Sequence, residues 1–290
     1  MPSSRLRQLL KFIRVFGIAG GIRLWFSLHL QLMRGAALLT LDVPGRDAAI
    51  QLRPRDLPIF WQIMVMREND FDSLPQAAAV QARYKELSTE DCRPVVVDCG
   101  GHVGLSAVWF ASRFPEAAVY TVEPDSSNFA LLKNNTAAYT NITPISGGIW
   151  GRPCDLRIAN PSSGSASFRL RENAAGAGEA GASLHGYTID EILGLDTRNR
   201  LLMVKIDIEG AEADLFRERS TWFESAAMIV IELHDWLMPG QGTSRNFFRR
   251  LAETSFEVVL RGENLLLFRA PDRPATLEQS PDTRVPAAHA

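Results

Sequence analysis

The sequence predicts an α/β fold: a mostly parallel sheet flanked by helices and finished by a late antiparallel hairpin. Three observations carry that expectation. The run Val95–Val97 ends in Asp98 and is followed by Gly100, Gly101, Gly104 and a helix-compatible stretch, which describes a buried strand, a tight turn and a helix start. From residue 95 to 146, strands at 95–99, 118–122 and 142–146 alternate with helices at 103–113 and 126–137. Such alternation implies parallel pairing through right-handed crossovers. Finally, Phe256–Leu260 and Leu265–Arg269 flank Arg261-Gly262-Glu263-Asn264, the pattern of a hairpin.

With 290 residues, 46% of them hydrophobic and 22% charged, the chain can bury a full core as one large domain with extensions. A net charge of -2 gives no general attraction to nucleic acid. The average hides an uneven distribution, because the first 35 residues hold Arg5, Arg7, Lys11, Arg14, Arg23 and Arg34 and no acid. We therefore divide the chain into a basic, amphipathic helical extension (1–45), a main domain (46–269) and a Pro- and Ala-rich tail (270–290) expected to be disordered.

Within the extension, residues 5–38 read as one or two helices broken at Gly20-Gly21. Packing on the domain is the plainer expectation, and peripheral contact with the inner membrane surface is the alternative. Leu24–Met33 is too short to span a bilayer, and no signal peptide is evident. Three cysteines, Cys92, Cys99 and Cys154, lack metal-ligand spacing and fit a reducing cytoplasm.

The remaining elements follow in order. Asp47–Leu52 reads as a strand, Leu57–Met66 as a helix ending in the acid-bearing Arg67–Phe71, and Gln76–Leu87 as a further helix. Residues 152–186 shift to Ala, Gly and Ser, with strand-like pieces at Leu156–Ala159 and Ser165–Leu170, and read as a flap or an insertion. Tyr187–Leu193 leads to a buried strand at Leu201–Ile208. A further strand at Met228–Leu233 and a helix at Ser244–Thr254 complete the pattern.

Ligands of parallel sheets collect beyond the carboxyl ends of the strands. The first turn reads D-x-G-x-x-x-G and puts a carboxylate where a dinucleotide fingerprint begins. That charge disfavours the pyrophosphate of NAD and suits S-adenosylmethionine, which is cationic and carries no phosphate. Glu123, 25 residues on, ends the next strand, where it can accept from ribose hydroxyls. Ser146–Ile149 gives small-residue room for an adenine, with Gly148 and Ile149 beside it.

The densest polar cluster is Lys205–Glu212. Lys205, Asp207 and Glu209 share one face if the strand persists, and burying three charges is costly unless they pair or serve a site. His234 and Asp235 follow the next strand and fall at the same edge.

Val-Val-Asp-Cys-Gly-Gly-His-Val-Gly at 96–104, Val-Glu-Pro at 122–124, Val-Lys-Ile-Asp-Ile-Glu-Gly-Ala-Glu at 204–212 and Ile-Glu-Leu-His at 231–234 together resemble the FkbM family of S-adenosylmethionine-dependent methyltransferases. The resemblance covers roughly residues 50–269. It implies a class I methyltransferase, Rossmann-like fold with Asp98, Gly100 and Gly104 at the methionine end of the donor and Glu123 at its ribose. It also implies O-methylation of a hydroxyl on a sugar, glycolipid or polyketide-type acceptor. One departure is Gly101-His102, where such proteins usually carry Ala-Asn; Gly101 and His102 are counted with the donor-binding residues.

For the hydroxyl proton, Asp207 and His234 are the candidate bases, an ordinary imidazole titrating near pH ~6.5. Equally open is a magnesium ion on Asp207, Glu209 and Asp235 that lowers the acceptor's pKa. The competing class is a donor-binding or partner-binding protein without turnover on the same scaffold.

Overall fold

The computed structural model describes residues 2–160, 169–173 and 183–270. The chain enters through α1 (Pro2–Phe16) and α2 (Ile18–Met33), then a two-stranded antiparallel ribbon of β1 (Leu39–Leu41) and β2 (Ile50–Leu52). A 3-10 turn at Pro54–Asp56, the short helix α3 (Leu57–Phe60), a π-helical turn at Trp61–Val65 and α4 (Ala77–Leu87) lead to the central sheet.

That sheet begins with β3 (Arg93–Cys99), α5 (Leu105–Arg113), β4 (Ala118–Glu123), α6 (Ser126–Thr136) and β5 (Ile142–Ser146). The chain then forms a second sheet from β6 (Gly148–Ile149), β7 (Cys154–Ile158), β8 (Leu170–Glu172) and β9 (Leu184–Tyr187), in the order β6-β9-β7-β8. Through α7 (Ile189–Leu193) it returns to β10 (Asn199–Ile206), α8 (Glu212–Leu215), α9 (Trp222–Ser225) and β11 (Met228–Glu232). It finishes with α10 (Arg245–Ala252), β12 (Phe256–Arg261) and β13 (Asn264–Arg269).

The seven central strands lie in the order β12-β13-β11-β10-β3-β4-β5. Five run parallel, while β13 pairs antiparallel with both β11 and β12, so the late hairpin closes one edge. Apolar clusters cover both faces, one under α5 and the amino-terminal helices, the other under α7 to α10. Strands buried on both faces need near-continuous apolar runs, which Val95–Val97 and Leu201–Val204 supply.

Local signals set the boundaries. At α6 the Asp125 carboxylate accepts from the Asn128 amide at 2.8 Å, and Thr188 and Glu191 form a reciprocal capping box at α7. Helix α5 starts from Gly104 at φ 88°, a left-handed angle that glycine adopts freely.

Register then decides which polar residues meet. Thr121, Asp98 and Lys205 are direct neighbours on β4, β3 and β10, making one buried polar row across the sheet.

The amino-terminal segment breaks at a different glycine from the expected pair. The helical break falls at Gly17 (φ 74°), and Gly20-Gly21 lie inside α2. A Cβ on Gly21 would come within 2.5 Å of the Phe12 carbonyl, so its lack of a side chain is what lets α1 and α2 touch. The segment also shares the domain's core, with Phe12, Leu24 and Leu28 buried and β1 paired to β2 across the expected 45/46 boundary.

The strand expected from Asp47 starts only at Ile50, because the Asp47 amide donates to the Tyr139 hydroxyl instead. Glu68 and Asp70 sit against the late hairpin near Gly262 and Arg261, at the end of β11 where Asn264 pairs with Glu232, and neither is among the residues lining the cleft. Most of the strand-like piece at 165–170, and the tail from 271, lie outside the described residues.

Candidate active site

A cleft of about 600 Å³, including its open mouth, lies beyond the carboxyl ends of β3, β4 and β10. Two turns face each other across it. One is the glycine turn after β3, contributing Gly100 and His102; the other follows β10 and contributes Asp207, Ile208 and Glu209. Glu123 and Pro124 form a third wall, and Gly147, Gly148 and Ile149 a fourth.

The glycine turn is held by backbone contacts. Its Gly100 and Gly101 amides donate to the Val122 carbonyl at 3.1 and 2.9 Å, and the His102 amide donates to Glu123 Oε2 at 2.9 Å. Gly100 sits at φ 86°, and a Cβ there would lie 1.9 Å from the Asp207 carbonyl oxygen. The residue is therefore required where the two turns touch as well as at the cleft wall.

Gly101 and Gly104, expected at the donor, pack inward. Their missing side chains make room for Thr121 and Leu132 in one case and Leu132 and Thr136 in the other.

Asp98 is also placed differently from expectation. It is fully buried beneath the cleft and does not line it. Its Oδ2 accepts from Ser106 and Thr121 at 2.8 and 2.9 Å, and Lys205 Nζ lies 3.8 Å from Oδ1. Burial raises its pKa against the opposing pull of Lys205 and the two hydroxyls. The physical reason for the displacement is the pleat: Asp98 shares the Val96 face of β3, which looks onto α5. Of the two strand-end acids, Glu123 is the one at the cleft wall.

Glu123 takes three donors, from the Asp125 amide at 3.0 Å, Asn128 Nδ2 at 3.1 Å and the His102 amide. Burial nevertheless pushes it up to about 8. His102 adopts φ 48°, and burial lowers its imidazole, which stays neutral. Both of its ring nitrogens are buried without a hydrogen-bond partner at the cleft wall.

The charged turn works differently. Strand β10 ends at Ile206, and Glu209 and Gly210 take left-handed angles of 54° and 99°, so a turn and not a persisting strand brings Asp207 and Glu209 to one side. Strain of that kind in a non-glycine residue is tolerated where surrounding structure enforces it, often at functional sites.

Beneath the turn, Lys205 Nζ reaches Asp207 Oδ2 at 3.3 Å. Behind it, His234 is buried, with Nδ1–H donating to Glu212 Oε1 at 2.8 Å. His234 Nε2 stands 3.6 Å from Asp207, 3.7 Å from Glu209 and 3.6 Å from Glu232.

Burial opposes a charge on His234, but the bond to Glu212 and the surrounding carboxylates outweigh it and push the imidazole up to about 9. It is an imidazolium at neutral pH, not the near-neutral base expected. Asp207, despite burial, is held low by Lys205 and His234. Burial pushes Glu209 up to about 7, partly opposed by His234; burial and Asp207 push Glu232 up to about 7.

The expected oxygen-only metal set is not assembled. Asp235 is engaged by Thr243 Oγ1 and the Ser244 amide at 3.3 and 3.4 Å. The ligand atoms that do converge among the described residues, within 4.8 Å of one another, belong to Asp207, Glu232 and His234. Sequence reasoning missed Glu232, Glu212's buried partnership with His234, and the apolar wall residues Ile59 and Leu170. Glu232 was legible as an acid closing β11 two residues before His234; Ile59 and Leu170 carried no local signal.

The fold is similar to that of the Aeropyrum pernix fibrillarin bound to S-adenosyl-L-methionine, at 13% identity and a TM-score of 0.34, over 63% of this chain and 68% of that one. It is also similar to an O-methyltransferase from Bacillus cereus in complex with SAH, at 11% identity and a TM-score of 0.38, over 74% and 90%. A putative caffeoyl-CoA O-methyltransferase from Staphylococcus aureus gives 10% identity and a TM-score of 0.37, over 86% and 100%. At identities and scores this low, these likenesses carry no property over to this chain. No curated protein sequence matches it. The model of the methyltransferase FkbM domain matches residues 98–258, more than half of the chain and both facing turns, so the chain belongs to the FkbM methyltransferase family.

Proposed function

We propose that this methyltransferase moves a methyl group from S-adenosylmethionine to a hydroxyl of a small-molecule or glycoconjugate acceptor, a sugar, glycolipid or polyketide-type compound. One observation carries the reading: a glycine turn, an acid at the end of the next strand and a strained carboxylate turn line a single cleft.

In this reading Glu123 accepts from the donor's ribose, Gly148 and Ile149 flank its adenine, and the His102 ring, whose Nε2 lies 3.7 Å from Asp56 Oδ1, lines the wall beside the same ligand. The bound donor supplies the electrophilic methyl. The chain supplies positioning, which alone accounts for a large share of such acceleration.

For the hydroxyl proton, Glu209 is the better acceptor. It lines the cleft, and a value of about 7 matches a base working at neutral pH. Asp207, pinned between Lys205 and His234, orients the acceptor hydroxyl and keeps its negative charge throughout. His234 acts as a fixed positive charge that holds Asp207 and Glu209 in place.

The magnesium alternative has less support. An ion on Asp207, Glu232 and His234 would have to displace the imidazolium proton, and magnesium prefers oxygen ligands. Turnover that survives EDTA is the expected result.

The deciding experiment incubates the full chain with radiolabelled donor and fractionated lysate. Label transferred to a hydroxyl-bearing compound supports the reading. Calorimetric donor binding with no label transferred from any fraction would favour a binding protein without turnover.

A further inference from the structure

We infer that the α1–α2 hairpin is a docking surface for an anionic lipid bilayer. The observation is an apolar stripe left uncovered on α2. Ile18, Ile22, Phe26, Leu30 and Met33 are all exposed, Ile18 and Met33 by 73% and 75%. At 100° per residue they span an arc of about 120°. The opposite face, Gly21, Leu24 and Leu28, is buried against the domain. A helix that is apolar on two faces has a second apolar medium to meet.

The stripe is far denser than the scattered apolar residues of an ordinary surface. On α1, Leu6 and Leu10 are exposed among Arg7 and Arg14, and Arg5 lines a shallow recess with Phe26, Leu30 and Met33.

Charge selects the occupant. Residues 1–41 contain Arg5, Arg7, Lys11, Arg14, Arg23 and Arg34 and no acidic side chain, although the whole chain is slightly acidic at -2. Arg34 falls just beyond one edge of the α2 stripe by helical position, where a long side chain can lie along apolar surface and keep its charge at headgroup level; Arg23 beside it pairs with the exposed Asp42 at 3.1 Å. A second copy of this face would bring like charges together. An anionic headgroup layer over an acyl region complements both features. Among the described residues no helix is long and apolar enough to cross a membrane, so the contact is with the surface.

The hairpin is also wired to the cleft. Phe12 of α1 packs on Phe60 and Trp61, the continuation of the short helix whose Ile59 lines the cleft wall. Docking by this face would hold the cleft at a fixed attitude to the bilayer.

The test is flotation of the purified full chain with vesicles of phosphatidylcholine alone or mixed with an equal part of phosphatidylglycerol. The wild type is expected to float with the anionic vesicles and to be released as salt rises. Phe26→Asp with Leu30→Asp should reduce binding at least tenfold while melting temperature and donor binding hold. Each of Arg7→Gln and Arg14→Gln should weaken it by about fivefold, as expected for ~1 kcal/mol per basic residue at an anionic surface. Wild type that stays unfloated with both vesicle types would overturn the inference, as would binding unmoved by the Phe26/Leu30 pair. So would sedimentation showing that the pair dissolves a dimer while no vesicle binding occurs, which would assign the face to a second copy.

Discussion

The two turns that face each other across the cleft are built by opposite means. After β3 the chain uses glycine and backbone amides, and its one conspicuous carboxylate, Asp98, is withdrawn into the sheet. After β10 it uses charged side chains and a left-handed Glu209, with its cations, Lys205 and His234, set behind and below. The first turn is a shape that admits a ligand. The second is an electrostatic device, and it is expected to be the less stable of the two because its charges are held only by one another.

The comparison breaks most visibly at Lys205. Replacing it in Lys205→Met leaves Asp98 and Asp207 without their shared cation in a buried row, and should cost about 3–5 kcal/mol in denaturant unfolding. A loss under ~1 kcal/mol would show that the row is held by the Ser106 and Thr121 hydroxyls instead.

Glu209→Gln should lower kcat by about 10²–10⁴-fold with donor affinity unchanged. In the wild type, kcat should rise with pH through about 7 as Glu209 ionises and fall through about 9 as His234 loses its proton. A wild-type profile with neither limb, flat from about one unit below the lower value to one unit above the upper, would remove both residues from the reaction.

On the glycine side the effects are steric and smaller. Gly101→Ala places a methyl 2.1 Å from Thr121 Oγ1 and 2.8 Å from Leu132, and should cost about 1–3 kcal/mol through overpacking, with the pH profile of turnover retained.

The last effect is in stability against pH. His234, Glu123, Glu209 and Glu232 all have folded values above their ordinary ones, so each contribution is complete below the ordinary value and lost as pH rises through the folded one. Melting temperature should therefore decline from about pH 5 to 9. Glu209→Gln should flatten the part of that decline below about 7, while Gly101→Ala should leave its slope alone.

Much of this was legible in the chain. The valine run into Asp98, the strand–helix alternation from 95 to 146 and the hairpin turn at 261–264 each depend on neighbours close in sequence, so their local structure could be read directly. The helical break could not: Gly17 and Gly20-Gly21 are equally good breakers by composition, and only the packing of α1 on Gly21 decides between them. His234 likewise looked like an ordinary imidazole, since the carboxylate that holds its proton, Glu212, lies 22 residues away.

By itself, then, the sequence determined the alternation of strands and helices, the closing hairpin, the family and the strand ends at which chemistry gathers, because each is written in patterns shorter than about one strand–helix unit. Tertiary structure alone decided which acids line the cleft. Strand register sets Asp98 between Thr121 and Lys205 and leaves Glu123 and Glu209 at the cleft, and register is a relation among strands far apart in the chain.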